Sequence, residues 1–111
     1  MSQSSALAVA ERRQSERHVC QISTTYHALG GAPSRARLAW IADINQFGLA
    51  LVAGHPIPVA TRLGVEVRSP DGAFSYLLAV GVVRTVRYRD GWLSGCAFDR
   101  PLTDDELANL V

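Results

Sequence analysis

Thr61-Arg62-Leu63-Gly64-Val65-Glu66-Val67-Arg68 is the stretch that decides how this chain folds. Thr61, Leu63, Val65 and Val67 take every second position, and Arg62, Glu66 and Arg68 fall between them. Successive side chains of a β-strand point to opposite faces, so this alternation predicts a strand with one buried face and one wet one. Downstream, Pro70-Asp71-Gly72 is a turn, because proline and glycine preset its backbone angles. A long strand follows from about Phe74 to Tyr88, apolar on both faces before Gly81, and Gly81 inside it predicts a bulge or sharp bend. Arg89-Asp90-Gly91 reads as a tight hairpin leading into a last strand, Trp92 to Phe98.

Upstream the same period holds. Pro56 and Pro58 separate the decisive stretch from Phe47, Leu49, Leu51 and Ala53, which alternate. Before a turn around Asn45-Gln46, the residues Ala36, Leu38, Trp40, Ala42 and Ile44 are expected to face one way, with Arg35, Arg37 and Asp43 on the other side. Gly30-Gly31-Ala32-Pro33-Ser34 reads as a loop, and Cys20, Ile22 and Tyr26 give the first strand its apolar face. The period changes only at the C-terminus. There Thr103-Asp104-Asp105-Glu106 is a capping box, with Leu102 and Leu107 as its hydrophobic staple and a short helix running through Leu110. The expected fold is therefore all-β with one short C-terminal helix, a six-stranded antiparallel β-barrel whose closure removes exposed edges. Residues 1–10 read as a flexible N-terminal tail and 11–111 as the single barrel domain.

Composition limits the function. Of 111 residues, 48% are hydrophobic and 19% charged, a globular balance. The net charge of +1 argues against a polymeric nucleic acid or a membrane surface as partner. All eleven basic residues are arginine, so each cation carries the flat fork that suits phosphates and guanine edges. No apolar run approaches the ~20 residues of a membrane span, and no signal peptide is legible, so a cytoplasmic protein with reduced thiols is expected. No Gly-x-Ser-x-Gly elbow, P-loop or dinucleotide fingerprint is present, and His18, His27 and His55 are scattered. Neither a catalytic constellation nor a metal site is expected, and Cys20 and Cys96 read as small buried hydrophobes. Trp40, Phe47, Tyr76, Trp92 and Phe98 fall mostly on the apolar phase of their strands and read as core rather than as a base-stacking platform.

Two features are not explained by packing. The first is Arg13-x-x-x-Arg17, with Arg12 beside it, in the charged run just before the first strand. The second is Asp43-Ile44-Asn45-Gln46-Phe47-Gly48, where one strand ends and the next begins. Taken singly, the first could be a solvated charge run and the second a plain hairpin.

Together they resemble the PilZ family, in which Arg-x-x-x-Arg precedes a β-barrel and Asp/Asn-x-Ser-x-x-Gly follows after an interval like that from Arg17 to Asp43. The resemblance extends from Glu11 through the capped helix. It implies a six-stranded barrel, of split-barrel type, that binds the bacterial messenger cyclic di-GMP at Arg12, Arg13, Arg17, Asp43, Asn45 and Gly48, with no cofactor and no catalysis. It also implies a downstream protein that reads the bound state. The chemistry of those residue types agrees with that ligand. An arginine fork takes phosphate oxygens or the O6/N7 edge of guanine, and its plane stacks on a base. An aspartate accepts from guanine N1–H and N2–H, and a glycine permits close approach. Asn45 stands where the family pattern has serine. Two other readings remain open from the residues alone: a PilZ-like adaptor that binds proteins without nucleotide, and a small OB-like nucleic-acid binder.

Overall fold

The computed structural model describes residues 18–30 and 35–110, with side chains described from residue 21. Six strands form: β1 (His18–Ala28), β2 (Arg37–Ile44), β3 (Gly48–Ala53), β4 (Arg62–Arg68), β5 (Ser75–Tyr88) and β6 (Gly91–Phe98). They close into an antiparallel barrel in the order β1-β2-β3-β6-β5-β4, with β4 pairing back onto β1. One helix, α1 (Asp104–Leu110), follows the last strand. No helix among the described residues is long and apolar enough to cross a membrane.

The stretch from Thr61 to Arg68 behaves as its period requires. Leu63, Val65 and Val67 are fully buried, while Arg62 and Arg68 are exposed. Their inward row meets Leu49, Leu51 and Val82 from other strands, so the interior is one apolar cluster. The capping box is also formed. Glu106 N–H donates to Thr103 Oγ1 at 3.1 Å, and Thr103 N–H donates to Glu106 Oε1 at 2.9 Å. Leu102 is buried and Leu107 packs on the core, which fixes the angle at which α1 leaves the barrel.

Several local expectations are corrected. In β2 the apolar phase is reversed: Leu38 is 82% exposed, whereas Ile41 is wholly buried. The physical reason is a bulge. Ile41 pairs with Leu51 and Asp43 with Ala50, so Ala42 is an extra residue and both Ile41 and Ile44 turn inward. In β5 the irregularity lies between Val82 and Arg84, two residues past Gly81. Phe47 belongs to the β2–β3 turn and not to the inward row of β3, and it is 46% exposed. Of the other aromatic residues read as core, Tyr76 and Phe98 pack against it, whereas Trp40 and Trp92 are half-buried outside the cluster, Trp92 beneath the guanidinium of Arg87, 5.1 Å away.

Candidate functional site

The bulge at Ala42 sets the geometry of the β2–β3 end of the barrel. Having absorbed one residue, β2 presents Asp43 on the outer face, half-buried, while Ile44 seals the interior. The chain then reverses over Asn45-Gln46-Phe47. Asn45 is buried, and its Oδ1 accepts the backbone N–H of Phe47 at 2.8 Å and of Gly48 at 2.9 Å. Its own N–H donates to the Gly48 carbonyl at 2.9 Å. Asparagine can do this because its short side chain mimics a peptide carbonyl, which is the basis of the Asx turn.

The outer side of this turn is tied to the segment that follows β6. Phe98 N–H donates to the Phe47 carbonyl at 2.9 Å, and Leu102 N–H donates to the Gln46 carbonyl at 2.8 Å. Gly48 is required by the same closeness. A Cβ at this position would sit 2.0 Å from the Cys96 carbonyl oxygen, a contact that no side chain tolerates. The glycine thus has a demand from the fold itself, between β3 and β6.

Asp43, Asn45 and Gly48 are therefore brought together at one end of the barrel. Arg12, Arg13 and Arg17 lie outside the described residues. The register nevertheless fixes where that segment joins the barrel. His18, which directly follows Arg17, pairs with Ile44, and Val19 pairs with Asp43. The chain leaving the arginine motif enters the sheet beside the aspartate of the second motif.

Asp43 also begins a row across the outer face. It pairs with Ala50, Ala50 pairs with Gly95, and Gly95 pairs with Arg84. With strands ~4.8 Å apart the row spans roughly 14 Å. Ala50 and Gly95 keep its middle low, and the Arg84 side chain lies across Gly95, where an added Cβ would come within 3.2 Å of Arg84 Cγ. Among the described residues no carboxylate pairs with Arg84. Sequence reasoning passed over Arg84 and assigned the exposed Phe47 to the core. The available signal for Arg84 was the outward parity of Gly95 within β6; for Phe47 it was its position inside the turn.

The arrangement is suited to binding. Asp43 offers an acceptor on a low outer surface, with a guanidinium at the far end of the row. Among the described residues no three His, Cys, Asp or Glu side chains gather as a metal would need. Burial pushes the Cys96 thiol up to about 12, so it is a neutral packing group and not a nucleophile. No curated protein matches the chain. A family model described as the PilZ domain matches residues 11–111, from the charged segment before β1 to the end of α1. With both motifs, the closed six-stranded barrel and that match in agreement, the chain belongs to the PilZ domain family.

Proposed function

We propose that this PilZ domain is a receptor for cyclic di-GMP that passes its bound state to a partner protein. PilZ domains are a ligand-binding family rather than a catalytic one. In this reading Arg12, Arg13 and Arg17 take the phosphates and guanine edges, and Asp43 accepts from guanine N1–H and N2–H. Asn45 and Gly48 shape the turn that presents Asp43. The observation that carries the proposal is the register of β1 on β2. His18 pairs with Ile44 and Val19 with Asp43, so the strand that follows the arginine motif enters the sheet beside the second motif.

Transmission would run through the braces on the turn. The carbonyls of Gln46 and Phe47 are held by Leu102 and Phe98, and Leu102 is a buried residue just before the Thr103 cap of α1. A ligand that shifts the turn would thereby act on the C-terminal helix. The proposal sets the domain in the cytoplasm, where a reduced Cys96 is at home.

A second reading, an adaptor that binds proteins without nucleotide, is favoured by one observation. Asn45 replaces the family's serine, and its side-chain oxygen is spent on the turn. Melting curves separate the two. At a ligand concentration ~100 times the dissociation constant, linkage adds about 2.7 kcal/mol, which raises the melting temperature by roughly 8–20 °C for a domain of this size. A flat response at millimolar cyclic di-GMP would favour the adaptor.

A further inference from the structure

The opposite end of the barrel holds a different chemistry. There the end of β1, the start of β2 and the β3–β4 loop surround a cleft of about 420 Å³. Arg35, Arg37, His27, His55 and Tyr26 line it, and no aspartate or glutamate among the described residues does. Arg37 pairs with Tyr26 across β1 and β2, whereas Ile44 at the far end of β2 pairs with His18. At ~3.3 Å per residue the cleft lies roughly 20 Å from the Asp43–Gly48 turn.

Some arginines of the barrel are paired with carboxylates. Arg62 pairs with Asp99, Arg68 with Glu66 and Arg100 with Glu106. Among the described residues neither Arg35 nor Arg37 is in an ion pair, although both face one cleft. The walls are fixed. The His27 ring lies over Gly64, where a Cβ would be 2.7 Å from its Cε1, and Ile57 is buried with its carbonyl accepting from Thr85 Oγ1. Burial holds the Tyr26 hydroxyl above the usual phenol range, with the Arg37 charge acting the other way, so the phenol remains a neutral donor. Pro56, Ile57, Pro58 and Leu63 supply an apolar side to the same space.

We propose that this mouth is a second binding site, distinct from the motif end, for a small phosphate monoester carrying an apolar ring. Two arginines and His55 lining one space match a dianion better than a single carboxylate. The volume falls within the ~300–1,000 Å³ typical of small-molecule sites, larger than a bare phosphate needs. The apolar side is the place for the ring.

The test is an amide-resolved NMR titration of the full chain with phenyl phosphate, inorganic phosphate and phenol. Saturable shifts are expected at Tyr26, His27, Arg37 and Ile57 with phenyl phosphate, about tenfold tighter than with inorganic phosphate because the ring leaves water. Phenol alone should give no saturable response. The exposed pair Arg35→Gln/Arg37→Gln should keep the wild-type melting temperature and lose about tenfold or more in affinity. Arg17→Ala should leave this titration unchanged, and saturating cyclic di-GMP should not displace the probe. Shifts centred on Asp43–Gly48, displacement by cyclic di-GMP, equal affinity for inorganic phosphate, or full binding by the double variant would each overturn the proposal.

Discussion

Replacing Asn45 tests whether this residue builds the site or merely lines it. Its Oδ1 accepts two backbone amides, of which the Gly48 N–H is buried and the Phe47 N–H partly so. Asn45→Ala removes the acceptor from both. A buried donor left without a partner costs about 1–3 kcal/mol, and the partly wet Phe47 amide belongs at the low end of that range. The sum is about 2–4 kcal/mol, a fall in melting temperature of roughly 10–20 °C for a domain of this size. Asn45→Ser keeps an oxygen that can accept from the same turn, so its cost should be about 1 kcal/mol or less. Urea denaturation is the appropriate assay, with the slope checked for constancy so that a shifted midpoint reports stability alone. The expected order is wild type, then serine, then alanine. An alanine variant as stable as wild type or as the serine variant would refute the role given to the Asn45 oxygen. The ordering also gives a physical reason for serine in the family pattern and asparagine here: each supplies an acceptor to the amides ahead of it.

Other consequences are equally open to measurement. Gly48→Ala should lower stability by about 3 kcal/mol or more, because its Cβ would meet a backbone carbonyl rather than a side chain that could move. Gly54→Ala, where nothing lies within 4 Å, should stay within about 0.5 kcal/mol in the same thermal melt. Arg17→Ala is expected to weaken cyclic di-GMP binding by about tenfold or more while leaving the apo melting temperature nearly unchanged, and calorimetry alongside a melt reads both. Glu106 is held at about 2 by the Arg100 hydrogen bond and then by the Thr103 N–H. A depressed carboxylate adds stability above its unfolded value of ~4.3 and loses it as pH falls toward about 2. The melting temperature should therefore drop across that acid window, and Glu106→Gln should lack that part of the drop.

The parts of the fold that were legible share one property: their apolar residues occupy a single parity. β4 is the clearest case, since Leu63, Val65 and Val67 leave only Gly64 and charged or intermediate positions opposite. β2 was not legible in the same way. Leu38, Ala39, Trp40, Ile41 and Ala42 are apolar at both parities, so the alternation could not choose a phase. The bulge that let Ile41 and Ile44 both face inward is set by pairing with β3, which no local window contains. The C-terminal cap was legible because its partners lie within four residues of one another.

For the candidate site, the resemblance of the two motifs implied a guanine-bearing anion, and the register brings the second motif beside the strand that follows the first. What the sequence did not reveal was why Gly48 is glycine, since the reason is the Cys96 carbonyl on a strand far along the chain. Arg84 was hidden likewise, because its place in the row with Asp43 arises only when β3 and β6 lie between them.

Isothermal titration calorimetry of the full chain with cyclic di-GMP, with cyclic di-AMP and GTP as controls, tests the proposed receptor most directly. Saturable heat with cyclic di-GMP, little with either control, and loss of that heat in both Arg17→Ala and Asp43→Ala are the predicted results. No heat from cyclic di-GMP at millimolar concentration, or equal heat from cyclic di-AMP, would contradict it.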